Sequence, residues 1–187
     1  MGILRTIPNM TVVNGCDYHS ARKLVRAAAE YKGPVYLRFT RDAVPFIYDE
    51  TEEFEIGKAK ELKSGTEITI IANGDIMSKA YEAADRLEAE GISVRLLDMH
   101  TIKPLDKDSV LRALDDTGRV ITVEDHNIIN GLGSAVCEVA AEAGIGKVVR
   151  IGIPDRFGES APYERLLEKS GITVQNIIAK AKELLRV

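Results

Sequence analysis

Short apolar runs alternate with stretches whose apolar residues return every three or four positions, and this switching of period lays out most of the chain. Residues 10–13 form a brief β-type run. Ala21, Leu24, Val25, Ala28 and Ala29 fall at helical spacing across 17–31, before Lys32, Gly33 and Pro34 stop the helix. Residues 34–40, PVYLRFT, are rich in β-branched and aromatic side chains, so 10–40 read as one β-α-β unit. A lone unit of that kind cannot cover both its faces, because a parallel pair needs helices on each side and flanking strands.

From Arg41 onward the periodicity dissolves, and residues 43–65 read as a connecting arm containing Pro45 and the acidic cluster Asp49, Glu50, Glu52, Glu53 and Glu55. No Gly or His is interleaved with those carboxylates in a ligand-directing way, which favours a solvated face over a metal site. Phe46, Ile47, Tyr48, Phe54 and Ile56 require the arm to pack on something. Beyond it one theme repeats. Strands are expected at 66–72, 93–99, 120–123 and 147–153, with helices at 75–90, 107–116, 133–143 and 174–185. Such alternation implies right-handed βαβ crossovers and a mostly parallel sheet. The expected fold class is therefore α/β: a three-layer α/β/α domain over 66–187, preceded by a β-α-β remnant of a second α/β domain in 1–42.

The stretch 122–136, TVEDHNIINGLGSAV, combines a strand end carrying charged and amide side chains with a Gly-led helix start. Carboxyl ends of parallel strands and the helix N-termini beside them collect anions and function. His126, beside Glu124 and Asp125, is a general acid or base by type. His100 precedes IKPLD and reads as structural, with Asp106 capping the helix that begins near residue 107. His19 reads as a solvated helix residue. Asp75, in the turn Asn73-Gly74-Asp75, is a candidate N-cap, and the turn lacks the spacing of a dinucleotide fingerprint.

The 187 residues are 45% hydrophobic and 29% charged, which is ordinary globular material. A net charge of -4 argues against nucleic acid as a partner. Cys16 and Cys137 stand far apart with no CxxC or Cys/His metal spacing, so a reducing, cytoplasmic setting fits. No apolar run approaches the ~20 residues of a membrane helix, and no membrane partner is expected.

Five segments carry a family resemblance that runs along nearly the whole chain: RTIPNMTVV (5–13), GPVYLRFTRDAVP (33–45), DMHTIKPLD (98–106), TVEDHNIINGLGSAV (122–136) and RIGIPDRFGES (150–160). In order and spacing they resemble the C-terminal part of a transketolase. Much of the pattern is shared with 1-deoxyxylulose-5-phosphate synthases and the β subunits of 2-oxoacid dehydrogenases, all thiamine-diphosphate enzymes. The resemblance implies the end of a pyrimidine-binding domain followed by the C-terminal domain. The GDG-led metal and diphosphate motif, the glutamate that activates the aminopyrimidine and the His-rich substrate segment do not appear, and the sequence is expected to begin after them.

The same resemblance implies a chain with no catalytic residue of its own and inactive alone. It would work with a complementary N-terminal section, as a homodimer, in an enzyme using thiamine diphosphate and Mg2+ to move a two-carbon ketol unit between sugar phosphates of the pentose phosphate pathway. No cofactor is expected on this chain by itself. Arg41 matches the family's strand-end arginine that holds the sugar phosphate, a task suited to a planar guanidinium fork. Arg38, three residues earlier, is less well matched. After RTIPNMTVV the family continues Pro-Ala-Asp and then Glu, whereas residues 14–20 here keep only Asp17, a change expected to bear on assembly. The alternatives are a non-catalytic dimerisation or ligand-binding module, and part of a deoxyxylulose phosphate synthase.

Overall fold

A computed structural model describes residues 1–186. In chain order its strands are β1 (Thr11–Asn14), β2 (Val35–Arg38), β3 (Lys60–Ser64), β4 (Ile68–Ala72), β5 (Val94–Asp98), β6 (Thr101–Lys103), β7 (Arg119–Asn127) and β8 (Lys147–Ile153). The helices are α1 (Gly2–Arg5), α2 (Tyr18–Glu30), α3 (Met77–Ala89), α4 (Lys107–Thr117), α5 (Leu132–Ala143), α6 (Tyr163–Lys169) and α7 (Val174–Leu185), with a 3-10 turn, Gly74–Ile76, leading into α3.

The five-stranded sheet runs β3-β5-β4-β7-β8, parallel throughout except for β3 at its edge. Residues of β4 alternate between its two faces, as a strand buried on both sides must. Ile68 and Ile70 point to Ala80, Ala83, Ala84 and Leu87 of α3 and to Ile177 and Ala181 of α7. Ile71, with Leu97 of β5, meets Val110 and Leu114 of α4 and Val136 of α5. This is the expected three-layer domain.

Four elements differ from the sequence reading. The end of the arm forms β3, whose charged residues suit a sheet edge. Residues 101–103 form β6, and α6 follows Pro162. The strand expected at 120–123 extends to Asn127. The arm does pack: Tyr48 and Phe54 are 7% and 9% exposed and meet edge to face at 4.9 Å.

The β-α-β unit is completed from afar. β1 pairs parallel with β2 and antiparallel with β6, giving a second sheet of order β2-β1-β6. At its carboxyl end β1 abuts the turn after β4, where Gly74 has φ +62 and a Cβ would lie 2.4 Å from Asn14 Nδ2. Only glycine fits that approach. Asp17 caps α2 by accepting from Ser20 N–H at 2.8 Å, while Ser20 Oγ accepts from Asp17 N–H at 3.0 Å. Its second oxygen accepts the N–H groups of Ile47 and Tyr48, both at 2.8 Å. The Asp kept in the departing loop thus pins the arm.

Three segments close on Asp98, which is fully buried at the end of β5. Its Oδ2 accepts from Tyr48 Oη at 2.9 Å and Cys16 Sγ at 3.5 Å, and its Oδ1 has no partner. Burial pushes the Asp98 carboxyl up to about 7 against the pull of the Tyr48 and Cys16 hydrogen bonds, with Asp17 adding to the rise. The folded protein therefore holds this proton more tightly than the unfolded chain. Stability from this group is present below about pH 4 and is lost as pH rises toward 7. The difference in melting temperature, Asp98→Asn minus unsubstituted protein, should grow more positive from pH 5 to pH 8. A difference that stays flat would show that Asp98 does not titrate in that window.

Candidate functional site

The carboxyl ends of β1, β2 and β7 and the start of α6 enclose a cleft of about 400 Å3 lined by Arg38, Arg41, Asp42, Asp75, Asp125 and Tyr163 among others. Arg38 is the last residue of β2. Its guanidinium donates to the Asp125 carbonyl oxygen at 2.5 Å and to Asp125 Oδ2 at 2.9 Å. Tyr163 Oη donates to Asp75 Oδ2. Arg41 lies three residues beyond the end of β2 rather than on the strand. It is exposed, and no intramolecular partner holds its guanidinium among the described residues. The structure separates their work: Arg38 is consumed by an internal ion pair, and Arg41 is left open.

The Gly-led helix start is occupied from within. Glu124 is buried, and its two oxygens accept the N–H groups of Leu132 (2.7 Å) and Gly133 (2.8 Å) at the head of α5. A carboxylate of the chain thereby fills the anion position that a helix N-terminus offers. Burial pushes the Glu124 carboxyl up to about 7 against the pull of these N–H donors. A Cβ on Gly131 would lie 2.0 Å from Glu124 Oε2, which explains the glycine. The signal in sequence was the Glu a few residues ahead of the GLGS turn.

Both ring nitrogens of His126 are taken up by hydrogen bonds within the chain. Its Nε2 accepts the Gly2 N–H at 3.1 Å while Nδ1 donates to the Asn127 carbonyl at 2.7 Å, and burial holds its pKa low. Asn130 Nδ2 donates to the Gly2 carbonyl at 2.8 Å, completing the dock of α1. His100 is fully buried beside Phe54, and burial lowers its pKa to about 4. Asp106 caps α4 through Ser109 N–H at 3.1 Å, as the spacing implied. Two expectations need correction. Asp75 does not cap α3, because a 3-10 turn intervenes and its carboxylate turns to Tyr163. His19 is not simply solvated, since it packs edge to face on Phe46 and Tyr18. A larger cleft of about 690 Å3, between α1, β6 and α5, pairs Arg5 with Glu138 and Lys107 with Glu142, while Lys103 Nζ donates to the Arg5 and Ile7 carbonyls. Among the described residues no helix is long and apolar enough to cross a membrane.

Residues 57–177 match the family described as the transketolase C-terminal domain, and residues 1–46 match the transketolase pyrimidine binding domain. The chain belongs to the transketolase C-terminal family. A Methanocaldococcus jannaschii protein, whose name assigns it provisionally to a transketolase C-terminal section, is 44% identical over 98% of this chain and 58% of its own length. One subunit of the apulose-4-phosphate transketolase of Phocaeicola vulgatus is 40% identical over 100% of this chain and 60% of its own. A solved structure titled as a split gene transketolase, inactive beta4 tetramer, superposes with a TM-score of 0.95 at 43% identity, covering 99% of this chain and 61% of that one. The chain thus spans about three fifths of these relatives.

The family implies thiamine diphosphate, and the residues present do not fit it by themselves. Among the described residues no group of three His, Cys, Asp or Glu side chains is placed to hold a metal. The buried carboxylates Asp17, Asp98, Asp106 and Glu124 all accept bonds from this chain's own donors. The two family matches thus cover a pair of domains, and the arginine left without an internal partner in the strand-end cleft, among the described residues, is Arg41. Within this pair the α5 head is structural: Gly131→Ala should destabilise the protein by about 2 kcal/mol or more, the usual scale for steric insertion at a buried site. Urea denaturation reads this, and an unchanged midpoint would refute the Glu124 seat.

Proposed function

We propose that this chain is the C-terminal section of a transketolase-type enzyme built from two polypeptide sections, which transfers a two-carbon ketol unit between sugar phosphates. Thiamine diphosphate, with Mg2+, supplies the group that stabilises the carbanion when bound. This chain's contribution is to bind and orient the phosphorylated end of the sugar through Arg41. In this reading residues 1–42 complete a pyrimidine-binding domain begun by the other section, 43–65 are an arm, and 66–187 are the C-terminal domain. The setting is the cytoplasm and the substrates are those of the pentose phosphate pathway, although one relative is named for apulose 4-phosphate.

The observation that carries the reading is the cleft at the strand ends. It holds one arginine with no internal partner, set among a paired arginine and three aspartates. A guanidinium fork at the mouth of parallel strands is suited to phosphate. Two arginines against three carboxylates do not neutralise a phosphate dianion, so further cationic groups must come from elsewhere. This argues for a shared site and for inactivity of the section alone. The solved relative titled an inactive beta4 tetramer supports the same view. A second copy of the assembled pair, giving a dimer of such pairs, completes the proposal.

The test is reconstitution. Mixed with its matched N-terminal section, thiamine diphosphate and Mg2+, the chain should transfer a ketol unit from xylulose 5-phosphate to ribose 5-phosphate, and neither section should do so alone. Arg41→Ala should raise the KM for phosphorylated substrate by roughly one to two orders of magnitude, the worth of a charge-assisted hydrogen-bonded pair. A complex that associates and binds cofactor yet transfers nothing from any sugar phosphate would sink the reading. Turnover of pyruvate with glyceraldehyde 3-phosphate instead would move it to deoxyxylulose phosphate synthesis.

A further inference from the structure

The loop that carries Arg41 leaves β2 at Arg38 and is caught again at Ile47 and Tyr48, whose N–H groups both bind Asp17 Oδ2 at 2.8 Å. Between these two anchors, residues 39–46 form no helix or strand, and Phe39, Thr40, Arg41 and Asp42 are all exposed. Phe46 packs on Tyr18 and His19 near the far root, and no hydrogen bond or ion pair holds the Arg41 side chain among the described residues. Its placement depends on the roots.

The nearer root is Arg38, three residues away. Its guanidinium spans to β7 and takes a two-pronged grip on Asp125, one nitrogen on the carbonyl and the other on the carboxylate. Both side chains are shielded, at 28% and 15% exposure. Two bonds from one planar fork fix direction as well as distance, which a single ion pair does not. The same grip neutralises an arginine that would otherwise compete with Arg41 for the anion, and it removes a carboxylate that would repel it.

As a mere staple between the two sheets the pair is redundant. The sheets are already tied by the two-residue link from β5 to β6, by the Met99 N–H bond to the Ala72 carbonyl, by the seating of Asn14 against Gly74 and by the Asp98 cluster. Resting on the phosphate-binding reading of Arg41, we propose that Asp125 is a positioning residue: by gripping Arg38 it holds the root of the loop so that Arg41 meets the substrate phosphate.

The experiment uses the reconstituted two-section enzyme with ribose 5-phosphate and ribose as acceptors, and reads the ratio of their kcat/KM values. Asp125→Asn and Arg38→Lys should each lower that ratio by roughly tenfold, through KM for the phosphorylated acceptor with kcat little changed. Lys at 38 keeps the charge and loses the fork, so it separates orientation from charge and also serves if Asp125→Asn fails to fold. A purely structural lesion would depress both acceptors together and leave the ratio alone. Combined with Arg41→Ala, neither variant should lower the ratio further, because the group being positioned is gone. If Arg41→Ala itself leaves the ratio intact, the phosphate reading falls. If Arg41→Ala collapses it while either folded positioning variant does not, the positioning inference falls and the phosphate reading stands.

Discussion

Two parallel strands of four residues bury too little to persist in water, and β1 with β2 is such a pair. What holds them is β6, three residues that return from the C-terminal half to pair antiparallel with β1. Only Met99 and His100 separate β6 from the end of β5, so the smaller sheet is fastened close to the larger one. Met99 N–H bonds the Ala72 carbonyl at 2.9 Å, and Asn14 N–H bonds the His100 carbonyl at 2.8 Å, carrying main-chain bonding from one sheet to the other. Lys103 Nζ then donates to the carbonyls of Arg5 (3.0 Å) and Ile7 (2.6 Å), bringing the N-terminal turn under the same control. Because strands of both sheets end at this junction, the cleft between the loop after β2 and the end of β7 is a consequence of the pairing.

The junction is polar, which an apolar core would not require. Asp98, Tyr48, Cys16 and Asp17 sit in contact there, with one Asp98 oxygen unpartnered. A buried carboxylate costs stability when ionised, and its geometry specifies a single way for three distant segments to meet. A hydrophobic plug of equal volume would tolerate sliding of the arm. Hydrogen bonds from Tyr48 and to Asp17 do not.

Periodicity made the five-stranded domain legible because its strands are buried on both faces and its helices carry clear apolar stripes; Ile68 to Ala72 and the α3 alanines are examples. It failed where an element is held by pairing alone. β3 is Lys-Glu-Leu-Lys-Ser, an edge strand with charges facing water, and β6 is too short to show any alternation. α6 contributes one fully buried apolar residue, Leu167, which is too little to form a stripe. At the site, the resemblance pointed to Arg41 and the cleft contains it. No pattern in the chain revealed that Arg38 is bound to Asp125, because the two are 87 residues apart and neither sits in a local motif with the other.

The two anion-seeking features of the chain turn out to have opposite fates. The head of α5, the more conspicuous in sequence, is closed by Glu124, and its N–H groups are satisfied before any ligand arrives. Arg41 is the less conspicuous, an exposed side chain on a loop without regular structure, and it is open. A helix head sealed by a buried glutamate whose seat excludes even a methyl group at Gly131 contributes rigidity to β7 and hence to Asp125, the next residue. Under the proposed phosphate role, an open arginine flanked by carboxylates would contribute selectivity only when its loop is held. The physical logic of the fold is therefore that of a platform: interior carboxylates fix the strand ends, and Arg41 stays open at the mouth of the cleft between them.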